Sequence, residues 1–155
     1  MQFLFGLARR IFRPKRGDTL MATIAIAAPQ MRVSKDGVKT VLRAEGFAML
    51  VAALIFYARL DFGWPLFAAL FLLPDLSFAF YRFGPRAGAA AYNAMHSTMG
   101  PLGLGALGLL LVRPSLVAIA AIWLAHVGFD RALGYGLKYG DAFGHTHLGH
   151  IGKSE

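Results

Sequence analysis

Residues 115–135, SLVAIAAIWLAHVGFDRALGY, decide the fold of this chain. A helix of roughly 20 apolar residues crosses about 30 Å of hydrocarbon, and this stretch has the required length. His126 and Asp130 nevertheless interrupt it. Ionisable side chains are costly in hydrocarbon, so they usually face a bundle interior and mark a site or a pathway. The stretch therefore predicts a membrane-spanning helix that contributes two polar groups to a bundle.

Three further apolar stretches precede it, at residues 42–60, 64–82 and 87–112. Glycine, proline or charge separates them at residues 61–63, 83–85 and 113–114, where helices end. The chain of 155 residues is 57% hydrophobic and only 15% charged, a balance that a small soluble domain rarely tolerates. We therefore expect an all-α, membrane-spanning four-helix bundle whose main partner is the lipid bilayer.

The basic residues predict the orientation of the bundle. All 16 Lys and Arg residues except Arg59 and Arg113 fall on the side that holds both termini. The positive-inside rule then predicts a multi-pass protein of the inner (plasma) membrane with both termini cytoplasmic, N-in/C-in. Because this topology accounts for the net charge of +8, we expect no nucleic-acid partner.

The chain is expected to have three parts. Residues 1–40 read as a basic N-terminal tail, either flexible or lying as a helix in the membrane interface. Residues 41–138 form the four-span domain, and residues 139–155 form a His-rich C-terminal tail. The absence of cysteine excludes disulfides and thiolate ligands, so any metal site must use nitrogen and oxygen ligands.

Four ionisable residues are expected to meet in one layer of the bundle. At 1.5 Å per residue, Asp75, His96, His126 and Asp130 each lie about 7 to 13 Å inside the cytoplasmic boundary. His126 and Asp130 are four residues apart and share a helix face, and Pro74 predicts a kink beside Asp75. Two imidazoles and two carboxylates suit a divalent metal such as zinc.

Other polar residues near this layer are secondary candidates. Arg131 and Arg86 are candidate contacts for a substrate anion. Glu45 is a further polar group at the cytoplasmic rim, and Asn93 is another, on one helix face with His96. Alternative interpretations remain open for the main candidates. Asp75 and Asp130 can pair with nearby arginines at the membrane edge, and a lone histidine can be a neutral core residue bonded to one carbonyl.

Several motifs carry a family resemblance. They are RAEG at 43–46, PDLS at 74–77, GPR at 84–86, YNAMH at 92–96, LAHVGFDRALGYGLKY at 124–139 and THLG at 146–149. Over residues 41–152 the chain closely resembles a family of small bacterial four-span membrane proteins known as a domain of unknown function. The first 40 residues lie outside that resemblance, which makes Met21 an alternative translation start.

A more distant resemblance has mechanistic content. Leu-Pro-Asp, a downstream His-Ser, His-x-x-x-Asp and Gly-Tyr-Gly together look like the inner-membrane metal-dependent hydrolases related to zinc-dependent phospholipase C. The resemblance implies that Asp75, His96, His126 and Asp130 are metal ligands. The chain lacks the His-rich N-terminal motif of those enzymes, and His147 is the residue expected to replace the missing ligand by folding back from the tail.

Three functions follow as hypotheses. The leading one is a metal-dependent hydrolase that acts on a phosphate or ester of a lipid-like substrate. The alternatives are a proton or small-solute carrier in which the same groups relay charge, and a structural membrane subunit whose polar groups join helices. The residues leave the substrate, the metal and the oligomeric state open.

Overall fold

The structure is a computed structural model, and it describes residues 35–141 and 143–150. In this part of the chain there are five α-helices, one 3₁₀ helix and one small hairpin. They are α1 (Lys35–Ala58), α2 (Trp64–Phe71), the 3₁₀ helix (Leu73–Phe83), α3 (Pro85–His96), α4 (Met99–Leu110), α5 (Pro114–Leu133), β1 (His145–Thr146) and β2 (Gly149–His150). The predictions for residues 1–34 lie outside the described residues.

Three of these helical stretches are long and apolar enough to cross a membrane. They are Gly37–Ala58, Trp64–Phe83 and Pro114–Leu133. In the last of them, half of the most apolar window is buried within the protein, against 17% and 11% in the other two. Helix α5 is therefore the most buried helix. Helices α1, α4 and α2 pack against it, whereas α3 packs mainly against the 3₁₀ helix.

The predicted third span at residues 87–112 is wrong as a single helix. The chain forms α3 and α4 there, each of 12 residues, and Ser97 between them has an extended backbone. Pro101 explains the break, because its ring would clash with the carbonyl of Ser97 in a continuous helix and it has no N–H to donate. Of the two, only α4 is apolar, and it is shorter than the helices that are long enough to cross a membrane.

The predicted second span is also interrupted, next to Pro74, where the sequence predicts a kink. Helix α2 ends at Phe71, and the chain continues from Leu73 as a 3₁₀ helix of 11 residues, which is long for this type. A 3₁₀ helix has three residues per turn, so Asp75, Phe78 and Tyr81 form one row along it. This row places the acid and two aromatic rings on the same side.

The C-terminal segment, residues 135–141 and 143–150, folds back onto the bundle. Helix α5 ends at Gly134, whose left-handed backbone (φ 97°) suits glycine. The two strands pair antiparallel, and Lys138 forms an isolated bridge with Thr146. The segment that follows α5 is therefore ordered by backbone hydrogen bonds.

Candidate functional site

Asp75, His96, His126 and Asp130 meet in one cluster. One potential ligand atom from each residue lies within 4.8 Å of all the others. His96 Nε2 lies 3.1 Å from His126 Nε2, 3.3 Å from Asp75 Oδ1 and 3.4 Å from Asp130 Oδ2. His126 Nε2 lies 3.6 Å from Asp75 Oδ1. The predicted convergence of these four side chains is present in the structure.

Three helices supply the cluster, and local breaks position two of its members. His126 and Asp130 lie one turn apart on α5. His96 is the last residue of α3, where Pro101 forces the chain out of the helix. Asp75 is in the first turn of the 3₁₀ helix, directly after Pro74. The prolines that shorten the predicted spans therefore also determine where the acid and one imidazole lie.

The imidazoles are buried and Asp75 is at the edge. His96 is 2% exposed and His126 1% exposed. The Asp130 side chain is 14% exposed, whereas that of Asp75 is 37% exposed. The cluster thus has a closed side formed by three residues and an accessible side formed by Asp75.

The hydrogen bond of His96 to the backbone determines its tautomer. Nδ1 lies 2.9 Å from the carbonyl oxygen of Tyr92, which can only accept, so Nδ1 carries the hydrogen. In a neutral ring the lone pair is then on Nε2, which faces Asp75 and Asp130. Carboxylates also present lone pairs, so a hydrogen or a cation must lie between these atoms: the N–H of His126, an added proton or a metal ion.

A second layer of contacts orients the cluster. The Tyr92 hydroxyl donates to Asp130 Oδ2 at 3.1 Å, and the Tyr92 ring stacks on His96 with centroids 3.7 Å apart. The rings of Phe71 and His126 pack edge to face, with their centroids 5.4 Å apart. Nδ1 of His126 is buried and has no hydrogen-bond partner among the described residues. Metal-binding histidines usually donate their second nitrogen to a carbonyl, and His96 follows that pattern.

The donor set and its dimensions fit a small cation. A tetrahedral zinc site with bonds of about 2.0–2.1 Å has ligand atoms about 3.3 Å apart. Four of the ligand-to-ligand distances run from 3.1 to 3.6 Å, and all four ligand atoms lie within 4.8 Å of one another. The group Asp75, His96, His126 and Asp130 can therefore hold a metal ion. The same contacts also satisfy the geometry of ion pairs between protonated histidine and carboxylate.

The secondary candidates have other positions. Glu45 and Arg86 are exposed, and Arg131 is half-buried beside Gly46. Asn93 is not in the cluster; its side-chain amide accepts from the backbone N–H of Lys138 at 2.7 Å and donates to its carbonyl at 2.8 Å. Asn93 therefore joins α3 to the C-terminal segment.

His147, the residue expected to complete the ligand set, is not among the four clustered residues. Its Nδ1 accepts a hydrogen bond from the backbone N–H of Leu137 at 2.8 Å. The backbone N–H of His147 donates to the carbonyl oxygen of Leu137 at 3.1 Å. In this structure His147 holds the fold of the C-terminal segment.

Two residues of the site, Tyr92 and Lys138, were not predicted from the sequence to be site residues. Tyr92 lies one helical turn before His96, and this spacing is the sequence signal that places the two side chains on the same helix face. Lys138 is 6% exposed and lies among aromatic rings, and no sequence signal predicts this burial, because it depends on how the C-terminal segment folds. Burial lowers the pKa of Lys138, and the charge of Asp130 opposes that effect.

The comparisons with known proteins place the chain in one family and go no further. No curated protein and no solved structure matches it. Residues 39–151 match the family described as Domain of unknown function (DUF4260). The match covers most of the chain and includes all four clustered residues. The protein belongs to the DUF4260 family.

Proposed function

We propose that this protein is an integral membrane metalloprotein in which Asp75, His96, His126 and Asp130 bind one divalent transition metal. The observation that carries the proposal is the convergence of two buried imidazole nitrogens and two carboxylates, with their ligand atoms within 4.8 Å of one another. Zinc fits the nitrogen and oxygen ligands best, and manganese or iron(II) are the other metals that such a set accepts.

A proton is the competing occupant of the cluster. If His96 is protonated, its contacts with Asp75 and Asp130 are ion pairs, and the group is a proton relay from the exposed acid to the buried imidazoles. This is the carrier hypothesis, and the partial exposure of Asp75 favours it as the second candidate. The distance of 3.1 Å between the two Nε2 atoms fits a hydrogen bond between the rings as well as two ligands of one metal, so the metal content of the purified protein decides between the two candidates.

Hydrolysis is the chemistry that we propose for this metal centre. His96, His126 and Asp130 are the buried ligands, a His₂–carboxylate set like that of many zinc hydrolases. A bound metal lowers the pKa of a coordinated water. For hydrolysis, the partly exposed Asp75 would give up its ligand position to that water and accept its proton. The hydroxide would then form a bond to phosphorus or to the ester carbon as the bond to the leaving oxygen breaks, and Asp75 would return the proton to the leaving alcohol.

The substrate that we propose is a lipid-like phosphate or ester, since the cluster lies among apolar helices. Arg131 and Arg86 are the candidate anion contacts on the cytoplasmic side. The proposal includes a four-span arrangement, in which α3 and α4 together make the third crossing, with both termini cytoplasmic. Labelling of Arg113→Cys and Gly140→Cys with an impermeant thiol reagent tests the orientation, because the chain has no other cysteine.

The test uses the full chain, purified in detergent without added metal. We expect about one zinc, manganese or iron per chain and metal-dependent hydrolysis of bis(p-nitrophenyl) phosphate or a p-nitrophenyl ester. A chelator should abolish the hydrolysis, and the same metal should restore it. His126→Ala should lose both metal and hydrolysis, because it removes a buried ligand.

The matched control is His145→Ala, which removes an imidazole from the C-terminal segment outside the cluster. It should keep the metal and the activity. A wild-type protein without stoichiometric metal would refute the metal centre. Metal bound without hydrolysis of either probe would refute the hydrolytic role for such esters. Proton flux in proteoliposomes that disappears in Asp75→Asn would then favour the carrier.

A further inference from the structure

The ammonium group of Lys138 lies in a cage of four aromatic rings. Its Nζ is 3.3 Å from the ring centroid of Phe143, 4.7 Å from Tyr92, 4.9 Å from Phe78 and 5.5 Å from Tyr81. Ring faces attract a cation, and the attraction is stronger when the contact is shielded from water. Among the described residues no carboxylate forms an ion pair with Lys138. The rings therefore hold this buried charge.

The cage joins three parts of the molecule. Phe78 and Tyr81 come from the 3₁₀ helix, Tyr92 comes from α3, and Phe143 comes from the C-terminal segment. The backbone of Lys138 is fixed independently, by the two hydrogen bonds with Asn93. Lys138 thus attaches the C-terminal segment to the helices that carry Asp75 and His96.

Tyr92 belongs to the cage and also contacts the cluster. Its ring lies beside the Lys138 ammonium and stacks on His96. Its hydroxyl donates to Asp130. Phe78 is a second link, because it lies one 3₁₀ turn after Asp75 and contacts the Tyr92 ring at 5.2 Å. A change in the cage can therefore reach the cluster through Tyr92, whose contacts are the closest, and through Phe78, whose ring centroid lies 6.2 Å from that of His96.

We propose that Lys138 is a positioning residue for the metal centre, and this inference rests on the proposed function. The caged ammonium holds Tyr92 in the place where its hydroxyl orients Asp130 and its ring orients His96. Contacts that orient metal ligands commonly change metal affinity by 10–100-fold when they are removed. The role of Lys138 is thus to pre-organise the ligands without touching the metal.

The test measures the Zn²⁺ affinity of the full chain in detergent, by competition with a chelator. Lys138→Met keeps most of the apolar stem and removes the charge, so we expect the affinity to fall by about 10-fold or more. Lys138→Arg keeps the cation and should recover most of the affinity. Tyr92→Phe keeps the ring but removes the hydroxyl, and we expect a similar fall. Lys39→Met, at an exposed position of α1, is the matched control and should bind like the wild type.

The double variant Lys138→Met/Tyr92→Phe gives the sharpest readout. If Lys138 acts through the Tyr92 hydroxyl, the double variant should lose little more affinity than the weaker-binding single variant. Losses that multiply would overturn the inference, and so would a Lys138→Met protein with a lower Tm but unchanged zinc affinity. In both cases the wild type still binds zinc, so the proposed function survives. A wild type that binds no zinc would instead refute the proposed function itself.

Discussion

His147 has a structural role that depends on its protonation. Its Nδ1 accepts the N–H of Leu137, and a nitrogen can accept only when it carries no proton. Burial lowers the pKa of His147, and the charge of Arg131 lowers it further. The folded C-terminal segment therefore prefers the neutral imidazole.

Acid should loosen the C-terminal segment. The pKa of His147 is lower in the folded segment than the unfolded value of about 6.5. The unfolded segment thus binds the proton more tightly, so the stability is fully present above about pH 6.5 and is lost as the pH falls through the folded pKa. We expect the amides of Leu137 and Tyr139 to lose protection against hydrogen exchange between pH 7 and pH 5, after correction for the intrinsic exchange rate.

His147→Gln is the control for this pH dependence. Its side-chain oxygen can accept a hydrogen bond but does not titrate in this range, so its amide protection should not change with pH. Equal loss of protection in both proteins at pH 5 would show that another group controls the segment.

The sequence predicts the four members of the cluster because two simple rules apply to them. Helical spacing places His126 and Asp130 on one face, and the common depth of Asp75 and His96 brings them to the same layer. The role of Tyr92 could not be predicted in the same way. Its hydroxyl contacts Asp130 across 38 positions in the chain, and that contact depends on how α3 packs against α5.

At the scale of the elements, the packing of α1 against α5 depends on glycine. A Cβ built at Gly128 would lie 2.6 Å from the backbone nitrogen of Leu50 and 2.9 Å from the carbonyl oxygen of Gly46. Backbone atoms cannot move aside as a flexible side chain can. Close contact between small residues is a common means of helix association in membranes.

Gly128→Ala should therefore destabilise the protein by about 1–3 kcal/mol, because it forces α1 away from α5. The measurement is thermal or denaturant unfolding in detergent. Gly103→Ala on α4 is the matched control, since its Cβ would meet nothing within 4 Å. That change should be neutral or slightly stabilising, as alanine favours helix. Equal stabilities of the two variants would contradict the close packing.

The elements themselves were predicted unevenly. The apolar stretches at 64–82 and 115–135 correspond to membrane-length helices, and α1 begins at Lys35 rather than near residue 42. The third span was wrong because hydrophobicity alone does not register Pro101, whose effect is steric. The 3₁₀ conformation after Pro74 could not be predicted either, since its apolar residues suit an α-helix equally well.

In the described part of the molecule, the C-terminal segment packs beside the helices that supply the cluster. Each of α3, α5 and the 3₁₀ helix supplies at least one member of the cluster, and Lys138 fastens the C-terminal segment beside it. The fold of this segment was beyond the sequence analysis. It depends on a bridge to Thr146 and on hydrogen bonds from Asn93, 45 positions away.

X-ray absorption at the edge of the bound metal tests the central claim most directly. The sample is the full chain purified in detergent without added metal. We expect two imidazole nitrogens and carboxylate oxygens at about 2.0–2.1 Å if the metal is zinc, and loss of the imidazole signal in His96→Ala/His126→Ala. A protein without metal, or a metal whose imidazole ligands survive that double substitution, would contradict the account.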